Sequence, residues 1–514
     1  MESTVDTSIP YLTSLSYLQT QSLNKENTKS QEALSKSIEH ISTGLRVIDA
    51  GDDLAGFAIA DRMDVQVQGM TKAINNTNEA LTAARVAESS LNEYKDILGY
   101  MKELAEKATH KNLDLSDRRT LQEEITNLQD RLKGIAHETT FRGRKLLDGT
   151  YRTQNIQVGG SVGEVLSVSL KSARPDQVGL HQVISDGTMN TTISKNADDY
   201  WTIDNGVKTS DSITIQGHAG AEYITIESGA SAKQIADAIN DKSDLTGVEA
   251  KAETFLKIYD LALSQAPESI SFTLHGSSEV LIEATISSND DLEPLYDDLE
   301  SKYAASHIKS TLSADHKSII LHSEEGYDIG IEDFMASDAG LSTWQVIGME
   351  KGSKTETTGN PWVVADMPFM DSFLISGYVE LQSDEPFIVF TGTNDALFSP
   401  NSTFLPTLKA LDSINISFQD DAEEAIDIIE RANNYVENIR ADVQAFESGF
   451  EAIMERLESA SEQMEVSKHR ILDADIADAS IQSSRATIQI QSQNALLTQA
   501  NRLIPEYSLF LLRQ

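Results

Sequence analysis

Between Ala422 and Ile471, fifteen positions recur at strictly alternating steps of three and four: Ala422, Ala425, Ile429, Ala432, Val436, Ile439, Val443, Phe446, Phe450, Ile453, Leu457, Ala460, Met464, Ser467 and Ile471. All but Ser467 are apolar. A stripe with a mean period of 3.5 residues stays on one side of a helix only while it faces partner helices, which predicts a long coiled-coil element. At about 1.5 Å per residue the segment is a rod of roughly 75 Å. Near the other end of the chain, Leu34, Ile38, Ile41, Leu45 and Ile48 keep the same spacing, as do Val67, Met70, Ile74, Thr77, Leu81 and Ala84. After a stutter the pattern resumes at Ala87, Leu91, Tyr94, Leu98, Met101, Ala105 and Ala108. The two ends are therefore expected to pack together, with the stretch between them as an insertion.

Proline marks where that insertion lies. Of ten prolines, eight fall between Pro175 and Pro406, and none occurs from Tyr11 to Arg174. Because proline breaks helix interiors, this reads as helix, insertion, helix. Residues 181–404 also hold all three tryptophans, Trp201, Trp344 and Trp362, and 37 acidic residues against 11 Lys and no Arg. Before the insertion, Ser116 is the expected N-cap of a helix carrying Leu121, Ile125, Leu128, Leu132 and Ile135. The runs Asn155 to Gly159 and Val165 to Leu170 flank a Gly-rich turn and predict a hairpin. Inside the insertion, Ile213 to Gly217, Tyr223 to Glu227 and a helix capped by Ser231 read β-β-α. The runs Ile270 to Gly276, Val280 to Ile286 and a helix with Leu292, Leu295 and Leu299 repeat that order, so two copies of one module are expected. The fold class is α+β. Long antiparallel coiled-coil helices from both chain ends carry an inserted outer α+β, β-rich region with two β-β-α modules, at about 200–265 and 266–335.

The formal charge of −40 opposes binding to nucleic acid or anionic membranes, because counterion release would work against it. The absence of cysteine excludes disulfide scaffolds, thiolate metal sites and Cys nucleophiles. The start of the chain lacks a cleavable secretory signal, and no stretch is apolar enough to insert into a bilayer. Neither a catalytic nor a cofactor or metal site is expected. His137-Glu138 begins a zinc-protease pattern, but Phe141 stands where the second His must be. His275, His307, His316 and His322 lack ligand spacing. Asp49, Asp52 and Asp53, with Arg46 and Arg62 beside Gly51 and Gly56, read as a capping and salt-bridge junction between helices. Asp473, Asp475 and Asp478 are expected to pair there with Arg470 or the N-terminal arginines.

Residues Lys29 to Met63, KSQEALSKSIEHISTGLRVIDAGDDLAGFAIADRM, closely resemble the N-terminal signature of bacterial flagellin. His469 to Asp478, HRILDADIAD, and Gln499 to Leu503 with Leu509 to Arg513 resemble its C-terminal signature, and FRGRKLLDG at Phe141 to Gly149 is similar to its family counterpart. The stretch Ile213 to Glu253 is similar to a module found in the variable region of many flagellins. The resemblance implies a structural subunit that self-assembles into a helical extracellular filament for swimming. It implies export through the flagellar type III apparatus, with an export chaperone, the filament cap and hook-associated junction proteins as partners. The other readings weighed are a hook–filament junction protein and a filament-displayed adhesin.

The resemblance divides the chain into an innermost helical domain (1–54 plus 465–514), a helical core with the hairpin (55–180 plus 405–464) and the surface insertion (181–404). Self-assembly is expected to rest on Leu15, Leu18, Leu34, Ile38, Ile41, Leu45, Arg46, Asp52, Asp53, Ile481, Ile488, Ala495, Leu509 and Leu512. From Ala479 to Asn501 there is one charge, Arg485, and Ile481, Ile488 and Ala495 recur every seven residues. Such a helix is too polar for lipid and too sparsely charged for a free surface, so both terminal segments are expected to lack a partner within the chain. In the region that innate immune receptors recognise in some flagellins, Leu104 and Glu124 match, while Tyr100 stands where a key arginine is usual. Near Lys25 to Thr28 the first helix is about one turn longer than the family pattern.

Overall fold

The structure, a computed structural model, describes residues 8–110, 113–190, 205–208, 212–337, 342–349, 362–365, 371–393 and 396–511. Three helices, α1 (Ser8–Thr43), α2 (Leu54–Ala108) and α3 (Leu115–Glu138), precede most of the strands. Short helices α4 (Ala232–Asn240), α5 (Ser243–Thr246), α6 (Glu293–Ser301) and α7 (Tyr303–Ser306) lie among the strands, and α8 (Gln419–Leu472) and α9 (Ile476–Leu511) follow them. The chain forms two compact units: Met1–Ala84 with Thr153–Ser169 and Ala445–Gln514, and Arg85–Arg152 with Leu170–Gln444. No helix among the described residues is long and apolar enough to cross a membrane.

The long seam is real. Every one of its fifteen positions in α8 is buried or half-buried, from Ala422 to Ile471. The matching positions in α2, from Val67 to Ala108, are covered throughout. In the second unit, α2 and α8 run antiparallel along a ladder of polar pairs: Gln444 to Glu88 at 2.8 Å, Lys95 to Glu437, and Lys102 to Glu430 at 2.7 Å. Each rung advances seven residues on α2 and retreats seven on α8, which is what a heptad register requires.

Helix α3 begins two residues earlier than a Ser116 cap would allow. Asp114 is its cap, accepting a hydrogen bond from Asp117 N at 2.8 Å, because a carboxylate at that position reaches the free N–H of the third helical residue. Ile125, Leu128 and Leu132 are buried as the periodicity predicts, and Ala136 with them. Arg118 is also buried: its guanidinium donates to the carbonyls of Ala108 (3.1 Å), Leu113 (3.2 Å) and His110 (2.8 Å), closing the end of α2.

In the first unit the predicted hairpin forms between Gln154–Gln157 and Val165–Val168. It lies so close to α2 that a Cβ on Gly69 would sit 2.6 Å from Gly160 O. Only glycine admits that approach.

The strands of the second unit are all antiparallel in their pairing. One sheet has the order 309–312, 318–323, 249–262, 378–383, 179–184, 407–410, with 343–348 and 362–365 attached beside 249–262. Its neighbours across the middle come from distant parts of the chain: Leu381 pairs with both Val183 and Ala250. Two four-stranded sheets, ordered 279–286, 268–275, 329–336, 373–375 and 403–404, 388–391, 213–216, 221–224, and the two-stranded pair of 140–141 with 144–145 are the unit's other described sheets. Ser231 caps α4 in a reciprocal box with Gln234. Trp344 anchors one core, with Phe334 and Phe272 rings at 4.9 and 5.1 Å.

Candidate functional site

The terminal helices have a partner inside the chain, contrary to the expectation for low-charge ends. Helix α1 runs antiparallel to α9: Ala474 N donates to Gly44 O at 2.9 Å at one end, and Asn27 Nδ2 to Asn494 Oδ1 at 3.2 Å further along. The covered face of α1 is Thr20, Leu23, Asn27, Ser30, Leu34 and Ser37, and that of α9 includes Ala479, Ser483, Ala486, Ile490, Gln493 and Leu497. Both follow the three-four alternation, but small and polar residues are interspersed with Leu23, Leu34, Ile490 and Leu497. Hydrophobicity alone therefore picks the wrong stripe: Ile38 and Ile41 are exposed, although they continue the apolar pattern begun by Leu34.

On α9 the seven-residue repeat of Ile481, Ile488 and Ala495 faces away from this seam. Ile481 is 54% and Ile488 63% exposed, whereas Ala486 between them is 3% exposed. Leu18 is exposed and Leu45 half-buried. Leu512 lies outside the described residues, as do the side chains of Leu15 and Leu509. The isolated chain thus presents an exposed row of Ile481, Ile488 and Ala495 along a helix whose stretch from Ala479 to Asn501 carries one charge, Arg485.

The junction that holds these helices is built by capping. Arg46 Nη2 donates to Ile471 O at 2.8 Å, and the backbone N–H groups of Arg46 and Val47 reach Leu472 O at 2.5 and 3.3 Å. Arg46 therefore satisfies the last carbonyls of α8 rather than a neighbouring carboxylate. Asp53 Oδ1 accepts from Ala55 N (3.1 Å) and Gly56 N (3.0 Å) at the start of α2. Asp52 accepts from Ile48 N at 3.0 Å and pairs with Lys36 Nζ at 2.5 Å. The Lys36 hydrogen bond, then the Ile48 N–H, holds the Asp52 carboxyl down at about 2, and the same pair raises Lys36. Asp475 does not pair with an arginine as expected; its Oδ1 accepts from Ala477 N (2.9 Å) and Asp478 N (3.3 Å) and starts α9, while Asp473 meets His469 at 3.2 Å.

Tyr100 and Glu124 come together on the surface, the phenol donating at 2.7 Å and its ionisation pushed up by that carboxylate. Leu104 does not join them; it is 2% exposed. In the turn between strands 309–312 and 318–323, His316 lies 3.5 Å from Asp291 and 3.7 Å from Glu293, a juxtaposition that their separation along the chain hides in the sequence. The cluster is at the surface, where exposed acidic groups commonly gather without a bound ion.

Three family models match the chain: the bacterial flagellin N-terminal helical region over residues 15–152, the C-terminal helical region over 426–505, and the flagellin hook IN motif over 212–265. The B-type flagellin of Pseudomonas aeruginosa is 29% identical over 488 residues, covering 94% of this chain and 96% of that one. Flagellin D of Vibrio cholerae is 24% identical over 499 residues, covering 97% and 96%. Among solved structures, FliC from Burkholderia pseudomallei matches at 16% identity and a TM-score of 0.28, over 72% of this chain and 99% of that one. With both terminal regions and the inserted motif matched in family order and relatives aligned from end to end, the chain belongs to the bacterial flagellins, the structural subunits of the flagellar filament.

Proposed function

We propose that α1 and α9 form the innermost layer of the filament and that the row Ile481, Ile488 and Ala495 is buried there by other copies of the chain. The observation that carries this is the exposure of that row in the isolated chain, on the side of α9 turned away from α1. Isoleucines at a heptad spacing on a nearly uncharged helix are costly to leave in water and gain stability when a partner covers them. Leu18, Ile38 and Ile41 supply the corresponding surface on α1, and Arg46, Asp52 and Asp53 fix the angle at which these helices leave the junction. Residues 55–180 and 405–464 then form the surrounding helical layer, with 181–404 projecting outward.

The chain reaches the cell exterior by the flagellar export route, with a chaperone masking the terminal helices and a cap admitting them to the growing end. The exposed apolar row is the chemistry such a chaperone would cover. The outer strands serve display rather than catalysis, and 213–240 and 270–301 are two copies of one module, each a hairpin followed by a helix whose apolar side closes the core. Electron microscopy of purified chain, with and without Ile481 and Ile488 replaced by serine, tests the assignment. Filaments of normal length from the doubly substituted chain would refute it.

A further inference from the structure

The eight-stranded sheet has two chemically opposite faces. On one, Val183, Ala250, Ala252, Val379 and Leu381 belong to an apolar core shared with α4. On the other, the cross-strand neighbours are Gln182, Glu249, Lys251, Glu380 and Gln382, by the register that sets Gln382 against both Gln182 and Glu249 and Glu380 against Lys251. A face of that composition normally meets water. Here Gln182, Glu380 and Gln382 are buried, and the polar face lies under α8.

The groups of α8 that meet it form a second stripe, distinct from the apolar seam. Asp427 accepts from Lys251 Nζ at 2.5 Å, and Arg431 Nη2 donates to Glu249 Oε2 at 2.6 Å and to Gln382 Oε1 at 3.4 Å. Asn438 Nδ2 donates to Asp384 Oδ2 at 2.8 Å, and Glu424 pairs with Lys409 at 2.9 Å. Within the sheet, Gln382 Nε2 donates to Glu380 Oε1 at 2.6 Å, and Gln182 Nε2 donates to the same oxygen. Glu424, Asp427, Arg431 and Asn438 step by three, four and seven, so the helix lays a polar edge along the sheet, with Ile428 and Tyr435 set within it.

From this we infer that the contact between α8 and the sheet is a separable joint, held closed by ion pairs and hydrogen bonds and able to open without unfolding either partner. The polar face is satisfied in both states: by α8 when closed and by water when open. An apolar face would have only the first. Salt weakens the closed state because Lys251 and Glu249 reach solvent, where their attraction is screened. Opening lets the strands tilt away from the helical layer while the apolar seam of α8 stays covered.

The chain contains no cysteine, so single thiols report opening against a silent background. Full-length Gln382→Cys and Val379→Cys chains place one thiol on each face of the same strand, at two fully buried positions. Thiol-reagent labelling is followed in rising potassium chloride, with helix content by circular dichroism as the check on folding. The joint requires the Gln382→Cys chain to label at least tenfold faster than the Val379→Cys chain, with a rate that rises with salt. Adding Arg431→Glu should raise the rate of the Gln382→Cys chain again and leave that of the Val379→Cys chain unchanged. If the Gln382→Cys chain labels no faster than the Val379→Cys chain at any salt concentration, opening occurs only by global unfolding and the inference falls. Should either chain lose helix content, Gln182→Cys and Val183→Cys on the adjacent strand make the same comparison, with the same result required.

Discussion

Ile488→Asp separates folding from assembly, and the structure sets the size of each effect. In the isolated chain Ile488 is 63% exposed, so the substitution removes little buried surface and should shift the stability of the monomer by no more than about 0.5 kcal/mol. Burying the exposed two-thirds of an isoleucine against other copies is worth roughly 1–2 kcal/mol, scaled from the ~1.5–3 kcal/mol of a fully buried side chain. An aspartate at the same place loses that gain and adds an unpaired charge, at a further cost of several kcal/mol. Each 1.4 kcal/mol is about tenfold in an equilibrium constant, so the critical concentration for polymerisation should rise by at least a hundredfold. Circular dichroism and thermal melting monitor the monomer, and sedimentation of polymer across a concentration series gives the critical concentration. Ala486→Asp is the internal contrast. That position is 3% exposed against α1, so its substitution should disrupt the pairing of α1 with α9 in the monomer itself. If Ile488→Asp polymerises at the unmodified critical concentration, the outward row is not an assembly surface.

Leu98→Ala, at a fully buried position in the α2 seam, should lower stability by about 2–5 kcal/mol in chemical denaturation, since the cavity adds to the lost transfer energy. Asp52 has a carboxyl depressed to about 2, so its contribution is present above the unfolded value near 3.9 and is lost as pH falls through the folded one. Melting of the Asp52→Asn chain should accordingly depend less on pH between about 4 and 2 than that of the unmodified chain. Replacing residues 186–403 by a short Gly-Ser link should leave a folded helical layer, because Gly179–Ile184 already pairs with Thr407–Ala410 and the link only closes that hairpin. Electron microscopy should then show thinner filaments, and loss of assembly from a folded core would mean that the outer strands hold copies together.

The helices were legible because a coiled coil writes its register into the chain. In α2 and α8 the apolar residues at alternate steps of three and four are the covered ones, and no tertiary information is needed to find them. The α1–α9 seam escaped the same reading because small and polar residues interrupt its apolar positions. Ser30, Ser37, Ser483 and Ala486 fit between two helices, while Ile38 and Ile488, the conspicuous apolar groups, point elsewhere. A search for small residues at heptad spacing would have found it. The hairpin and the start of α4 followed from local turn and cap chemistry. The eight-stranded sheet did not, because it joins Gly179–Ile184 to Tyr378–Ser383 across some two hundred residues, a pairing no local pattern encodes. Its polar face was likewise invisible, since Glu249, Glu380 and Arg431 look like solvent-facing groups until the helix that covers them is in place. At the junction the residue types were right and the partners were not: Arg46 and Asp475 satisfy backbone groups of helix ends, which are present at every terminus but carry no sequence signature of their own.

The two turns that bound α2 are secured by different chemistry. Before it, Asp52 and Asp53 hold the chain through carboxylates, groups that acid neutralises. After it, Arg118 gathers three backbone carbonyls with a guanidinium that keeps its charge at any pH a protein meets. Strong acid therefore removes the side-chain bonds at the start of α2 and leaves those of Arg118 at its end, where the one carboxylate cap described is that of Asp114 on α3. Below about pH 2 the chain should loosen on the side of α1, where the Asp52 bonds go, while Arg118 keeps the end of α2 tied to α3, so that its acid-softened state is frayed at one defined corner rather than relaxed throughout.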